Sequence, residues 1–133
     1  MKNAAVYLDS SALIKLVFEE TESAALAAFL ADHPHRASSV VAHVEVLRTV
    51  GRVEDPTVAR DARDLLARVH LIRPDDAMLA AAAEIGPPTL RTFDAIHLVT
   101  ALSLRPNLAG VIVYDRQLGD AARAAGLTVW APS

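Results

Sequence analysis

The sequence predicts an α/β protein, a three-layer α/β/α sandwich built around a mainly parallel sheet of about five strands. Short apolar runs of strand-forming residues alternate with longer segments of helical periodicity, which is the pattern of successive βα units. The 133 residues are 53% hydrophobic and 22% charged, so they can enclose one substantial core. We therefore expect residues 1–133 to form a single domain.

The amino-terminal part of the chain predicts one strand and two helices. Ala4–Leu8 is apolar, contains Val and Tyr, and is followed by an Asp-Ser-Ser sequence that ends the strand. Ser10 or Ser11 can cap a helix that extends to about Glu19. The alanine-rich segment Ser23–Ala31 predicts the second helix.

The next segment predicts a second strand and two more helices. Ala37–Val41 has strand character, and the helix after it carries Glu45 and extends to about Arg52. Asp55 before a proline is a typical helix start, and the following segment Thr57–Val69 has an apolar stripe on one face.

The segment after residue 70 predicts a short strand and two helices. Leu71–Arg73 is the strand, and a Pro-Asp-Asp sequence opens a helix that ends at Glu84, before a Gly-Pro-Pro loop. Thr92 is the expected N-cap of a helix that extends from Phe93 to about Leu104.

The carboxyl-terminal part predicts a strand, a helix and a final strand. Val111–Tyr114 has the composition of a buried strand, and Gln117–Ala125 is helical until Gly126 ends it. Leu127–Trp130 is the last strand. This regular alternation is what favours a parallel sheet.

Four acidic residues occupy comparable positions, at or near the switch from a strand-like run to a helix. They are Asp9, Glu45, Asp94 and Asp115. Because the carboxyl ends of parallel strands share one edge of the sheet, we expect these side chains to meet there. Neighbouring carboxylates repel one another unless they are protonated or bridged by a cation. A cluster of oxygen ligands alone suits Mg²⁺ or Mn²⁺.

Each acid also has a structural alternative. Asp9 and Asp94 could be first-turn helix acids, and Asp115 could be a turn residue. Glu45 could form an ion pair with Arg48 or Arg52 on the same helix face. A common site is the simpler interpretation, because the structural account needs a separate reason for each acid.

The composition excludes several classes of site. The absence of cysteine excludes disulfides, thiolate zinc sites and cysteine nucleophiles, and with them the zinc deaminases that the sequence His43-Val-Glu45 superficially resembles. The net charge of −3 gives no general attraction to nucleic acid, so a nucleic-acid enzyme would need a local basic rim and metal ions.

The sequence predicts a cytoplasmic protein without membrane association. The first apolar run stops at Asp9, which is unlike a signal peptide, and no stretch approaches the roughly 18 apolar residues of a membrane span. The lack of cysteine is consistent with a reducing compartment.

Four segments resemble the PIN-domain nucleases, and specifically the VapC-type toxins of toxin–antitoxin pairs. They are YLDSSALIKL, the glutamate in the helix after the second strand, FDAIHLVTA, and VYDRQLGDAARAAGL. The similarity extends in order over nearly the whole chain. It implies a PIN-like fold and a metal-dependent endoribonuclease whose acidic residues correspond to Asp9, Glu45, Asp94 and Asp115.

The resemblance also implies a role for each of these residues. Glu45 would complete the metal shell or orient the attacking water, and Ser10 or Ser11 would hydrogen-bond a carboxylate or a phosphate oxygen, unless it is only a helix cap. The implied ligands of Mg²⁺ or Mn²⁺ are Asp9, Asp94 and Asp115.

Basic residues beside the acidic motifs are candidates for contacts to RNA. Arg91 and Arg116 suit bidentate binding of phosphate, although either could be an ordinary surface charge. His97 lies three residues after Asp94, on the same helix face. We expect a buried, hydrogen-bonded histidine there, with contact to a metal or substrate as the alternative.

The resemblance further implies an RNA substrate, a cognate small antitoxin protein and a homodimer. The segment with Leu26, Phe29 and Leu30 could offer the antitoxin an apolar groove, or these side chains could pack in the core. The alternative function is a catalytically inactive PIN-like module that binds RNA or protein.

Overall fold

A computed structural model describes residues 3–133, and within them five strands alternate with seven helices. The strands are β1 (Ala5–Leu8), β2 (Arg36–Ser39), β3 (His70–Ile72), β4 (Leu108–Ile112) and β5 (Val129–Trp130). The helices are α1 (Ser10–Ile14), α2 (Ser23–Ala31), α3 (Val40–Gly51), α4 (Pro56–Ala67), α5 (Asp76–Glu84), α6 (Thr92–Leu102) and α7 (Arg116–Ala124). None of the helices in this range has both the length and the apolar character needed to cross a membrane.

All five strands are parallel and lie in the order β3-β2-β1-β4-β5. From β1 the chain adds β2 and β3 on one side, and then crosses over to add β4 and β5 on the other. The carboxyl ends of β1 and β4 therefore border the crevice in which open α/β sheets bind ligands. The predicted parallel sheet of about five strands is confirmed.

Side chains of β1 alternate between the two faces of the sheet. Val6 and Leu8 pack against α1, α2, α3 and α4 in one core, whereas Tyr7 packs against α6 and α7 in a second core. All three residues are almost fully buried. The sheet therefore lies between two helical layers, which confirms the predicted α/β/α sandwich.

Helix α2 contributes to the first core. Leu26 and Leu30 are fully buried, and the ring of Phe29 lies 5.0 Å from that of Trp130, measured between centroids. Leu26 and Leu30 pack in the interior, as the core-packing alternative predicts, and Phe29 is partly buried against the same core.

The first helix is shorter than predicted, and its cap is a different residue. Helix α1 ends at Ile14, not near Glu19, and the hydroxyl of Ser23 donates to the carbonyl oxygen of Lys15 at 2.6 Å. That bond occupies an acceptor that a longer helix would use. The N-cap is Asp9, whose carboxylate accepts from the N–H of Ala12, so Ser10 and Ser11 are helical residues and not caps.

Strand boundaries also differ from prediction, by up to three residues at β4 and by two at β2 and β5. β2 spans Arg36–Ser39 because the Ser39 hydroxyl accepts from the N–H of Val41 at 3.3 Å and starts α3 at Val40, inside the predicted strand. This cap outweighs the strand preference of the paired valines that we assigned to β2. β4 begins at Leu108, since its pairing with β1 starts there, and it ends at Ile112.

Side chains cap five of the seven helices between residues 3 and 133, and α2 and α6 lack such a cap. Asp55, Asp75 and Asp115 each accept a backbone N–H of the first turn, and the Asp55 cap was predicted. The predicted Thr92 cap is wrong, because Thr92 is already the first residue of α6, and no side chain caps that helix.

Candidate active site

Two of the acids lie at the ends of neighbouring strands. Asp9 follows β1, and Asp115 follows β4 after a short link. Each is the N-cap of the next helix: Asp9 accepts from the N–H of Ala12 at 3.0 Å, and Asp115 accepts from that of Leu118 at 2.8 Å. The caps fix both carboxylates at the carboxyl edge of the sheet, at the point where the strand order reverses.

The other two acids reach the same edge from helices. Glu45 lies in the first half of α3, and Asp94 lies in the first turn of α6. All four carboxylates line one cleft of about 400 Å³. The remaining lining residues are Ser10, Ser11, Arg91, Thr92 and Phe93.

The carboxylate of Asp9 is the most buried of the four, with 3% of the residue exposed. Its two oxygens accept from the Ser11 hydroxyl at 2.8 and 3.0 Å. Burial raises the pKa of Asp9 above its ordinary value, the charge of Asp94 adds to this, and the hydrogen bonds from Ala12 and Ser11 partly offset it. The ionised form of Asp9 would therefore be stabilised by a nearby cation.

Arg91 supplies positive charge to two of the acids. Its Nε lies 3.1 Å from Oδ2 of Asp94, and its Nη2 lies 3.7 Å from Oδ1 of Asp115. These bonds, with that to Asp94 first, raise the pKa of the guanidinium. The side chain is 70% exposed, so both ion pairs are weak and open to exchange with another cation.

Glu45 does not pair with Arg48 but with His97. Nε2 of His97 lies 2.8 Å from Oε1 of Glu45, and Nδ1 lies 2.6 Å from the hydroxyl of Tyr7. His97 is 1% exposed, in agreement with the prediction of a buried, hydrogen-bonded histidine. Neither of its two partners was predicted from the sequence.

The donor set has the chemistry of a site for a hard divalent cation. Its side chains offer only oxygen atoms, and the buried charge of Asp9 lacks a full counter-charge. Between residues 3 and 133, no three Asp, Glu, His or Cys side chains already stand close enough together to hold a metal ion.

One residue that lines the cleft and one buried residue behind it escaped the sequence analysis, and one candidate lies apart from the cleft. Phe93 is 48% exposed on the rim of the cleft, and its signal was an aromatic residue directly before Asp94. Tyr7 was hidden as one of several apolar residues in a strand. Arg116 is exposed at the start of α7 and is not among the residues that line the cleft.

Comparison with known proteins assigns the family. The sequence profile of the PIN domain matches residues 6–124. The chain belongs to the PIN-domain family. Among PIN-domain relatives, Ribonuclease VapC46 of Mycobacterium tuberculosis (strain ATCC 25618 / H37Rv) is 44% identical over 131 residues, which cover 98% of this chain and 99% of the relative. Ribonuclease VapC47 of Mycobacterium tuberculosis (strain CDC 1551 / Oshkosh) is 33% identical, with 96% of each chain covered.

Solved structures share the PIN fold. A toxin–antitoxin complex from Klebsiella pneumoniae contains a chain that matches with a TM-score of 0.73 at 23% identity, covering 96% of this chain and 98% of that one. Mycobacterium tuberculosis VapC20, described as a sarcin-ricin loop cleaving toxin, matches with a TM-score of 0.75 at 14% identity, covering 96% and 99%. At these identities the likeness establishes the fold alone.

We expect Asp9→Asn to stabilise the metal-free protein at neutral pH. Because the native pKa of Asp9 is raised, the native state binds a proton more tightly than the unfolded chain, so stability falls as pH rises from the ordinary aspartate pKa to the native one. The amide oxygen can still accept from Ala12. Thermal denaturation in chelator should show a higher Tm for the variant, with the difference growing through that pH window and then constant.

The exposed Asp61→Asn serves as the control for this prediction, and it should leave Tm unchanged. A variant at Asp9 that is less stable than the parent at pH 7 would contradict the conclusion that desolvation dominates at this carboxylate.

Proposed function

We propose that this PIN-domain chain is an endoribonuclease that acts as the toxin of a toxin–antitoxin pair, with residues 1–133 as one nuclease domain. The observation that carries the proposal is the meeting of Asp9, Glu45, Asp94 and Asp115 in one cleft at the switch point of the sheet. Relatives of matching length that are named ribonucleases support RNA as the substrate. An inactive binding module has no observation in its favour, because all four acids are present.

The proposed metal ligands are the carboxylates of Asp9, Asp94 and Asp115, with Mg²⁺ or Mn²⁺ as the ion. A bound divalent cation supplies a water of lowered pKa and offsets the charge of the phosphate. The oxygen-only donor set and the raised pKa of Asp9 support this choice. Ser11 holds the Asp9 carboxylate in place through its hydroxyl.

Glu45 is the residue that we propose to orient the attacking water and accept its proton. Its Oε1 is held by His97, which leaves Oε2 available to orient a water and accept its proton. The water oxygen then forms a bond to phosphorus as the bond to the leaving ribose oxygen breaks, and that oxygen takes up a proton from a solvent water molecule. No protein nucleophile is required.

Three side chains are proposed to contact the RNA. Arg91 leaves Asp94 and Asp115 and binds a phosphate of the RNA, for which its planar guanidinium is suited. Arg116 contacts the backbone further from the cleft, and Ser10 donates a hydrogen bond to a phosphate oxygen. The position of Ser10 on the cleft wall and the exposure of Arg116 support these roles.

The proposed protein partners are a small antitoxin and a second copy of this chain, in the cytoplasm. Support for the antitoxin comes from the PIN-fold chain that was solved in a toxin–antitoxin complex. We expect a saturated complex to lose RNA cleavage, and undiminished activity would contradict the proposal. Sedimentation of the free protein as a monomer at micromolar concentration would exclude the homodimer.

We expect the purified chain to cleave RNA with Mn²⁺, and both chelator and Asp94→Asn to abolish cleavage. Loss of one proposed ligand weakens the binding of the metal ion and removes negative charge from the cleft, so activity should fall by at least about 100-fold. Gel analysis of the RNA products measures this, and thermal denaturation verifies that the variant is folded.

The wild type and Asp94→Asn are prepared identically, because equal cleavage by both would indicate a contaminating nuclease or a wrong role for Asp94. Absence of both cleavage and Mn²⁺ binding in the wild type would favour the inactive binding module.

We expect Arg91→Gln to bind Mn²⁺ up to about 30-fold more tightly, because a guanidinium no longer competes for Asp94 and Asp115 and each of the two exposed ion pairs contributes at most ~1 kcal/mol. The KM for RNA should rise at the same time. The free Mn²⁺ signal in electron paramagnetic resonance measures the affinity.

Arg123→Gln is the matched control, since Arg123 is also exposed and also pairs with an aspartate three residues away, Asp120. It should leave the Mn²⁺ affinity unchanged. Weaker Mn²⁺ binding by Arg91→Gln would mean that Arg91 supports the site and does not compete with the ion.

A further inference from the structure

A chain of two hydrogen bonds, the first buried and the second partly buried, leads from the core to the acidic cleft. The hydroxyl of Tyr7 lies 2.6 Å from Nδ1 of His97, and Nε2 of His97 lies 2.8 Å from Oε1 of Glu45. Tyr7 and His97 are each 1% exposed, so neither can reach substrate. The proposed reaction uses only the last member of this chain.

The chemistry of the three groups assigns the direction of the bonds. A carboxylate only accepts, so Nε2 of His97 carries a proton and donates it to Glu45. In the neutral ring Nδ1 is then an acceptor, and the Tyr7 hydroxyl donates to it. Burial raises the pKa of Tyr7, so that proton is firmly held. Tyr7 thereby selects the tautomer that can bind Glu45.

The chain of bonds joins three of the four segments that carry acids. Tyr7 lies two residues before Asp9 on β1, and His97 lies one helical turn after Asp94 on α6. Glu45 belongs to α3, which packs on the opposite face of the sheet from α6. Packing within each helical layer does not set the orientation of Glu45 toward the other acids, whereas the bond to His97 does.

Two hydroxyls near that of Tyr7 already donate their hydrogen bonds to the backbone. The nearby hydroxyl of Ser38 donates to the carbonyl of Leu8 at 2.6 Å, and that of Thr100 donates to the carbonyl of Ile96 at 2.6 Å. Both protons are thus committed to the backbone. An apolar pair in place of Tyr7 and His97 would fill the core without the cost of burying polar atoms.

We propose that Tyr7 and His97 are positioning residues that hold Glu45 by one oxygen and turn the other toward the attacking water. This inference rests on the proposed function, in which Glu45 orients that water. It predicts a loss in the rate of the chemical step, with little change in RNA or metal binding, when either residue loses its hydrogen bond.

The test compares four substitutions in the full chain. Tyr7→Phe and His97→Leu each break the chain of bonds, and we expect kcat to fall about 10-fold with KM and the Kd for Mn²⁺ within about twofold. His97→Gln retains an N–H donor and should recover part of the lost rate. Tyr114→Phe is the matched control, since it loses a tyrosine hydroxyl bond of 2.8 Å to Pro132 outside this chain of bonds, and it should keep full activity.

A second readout does not depend on activity. In the metal-free protein, ¹⁵N spectra of the histidine rings should show His97 protonated on Nε2 and not on Nδ1. Tyr7→Phe and Glu45→Gln should each disturb this single tautomer, whereas Tyr114→Phe should not. If Tyr7→Phe does not fold, Glu45→Gln and His97→Gln still decide the test.

The outcomes separate the inference from the proposed function. Wild-type activity in Tyr7→Phe, or a His97 tautomer unaffected by Tyr7→Phe and Glu45→Gln, would overturn the inference. A wild-type protein without ribonuclease activity would overturn the proposed function, and the ring spectra would then decide whether His97 orients Glu45. A combined Tyr7→Phe and Glu45→Gln variant no slower than Glu45→Gln alone supports action through Glu45.

Discussion

The central strand β1 fixes the geometry on which both the core and the cleft depend. It pairs with a parallel strand on each edge, and its side chains divide between the two cores. A slip of one residue would exchange the environments of Val6 and Tyr7 and would bury the wrong side chains on both faces. Because the register is fixed in this way, the strand ends at a defined point, and Asp9 stands beside the end of β4. The position of the most buried acid is thus a consequence of core packing.

The structural and functional explanations of the acids are compatible. Asp9 and Asp115 cap helices through a carboxylate oxygen, and the same caps hold these groups at the edge of the sheet. Capping does not remove the cost of collecting negative charge, since burial still raises the pKa of Asp9. The cluster of carboxylates therefore lowers the stability of the folded chain, as functional sites often do.

Two basic side chains near α6 act on the acids in opposite ways. Arg91 is 70% exposed, so its ion pairs to Asp94 and Asp115 are open to solvent and weak. His97 is buried and hydrogen-bonded on both ring nitrogens, so it holds Glu45 from within the core. The cleft therefore combines an exchangeable positive charge with a fixed orientation, and each serves different carboxylates.

The apolar periodicity of the sequence was enough to predict the alternation of strands and helices and the parallel sheet. Because parallel strands end at one edge of a sheet, it also predicted that Asp9, Glu45, Asp94 and Asp115 gather there. The ends of α1, β2 and β4 were misplaced, since a single hydroxyl or a ladder partner distant in the sequence decides them. The links from Tyr7 to His97 and from His97 to Glu45 span 90 and 52 residues, and no periodicity records them. Only the packing of two helical layers against one sheet decides which buried polar groups meet.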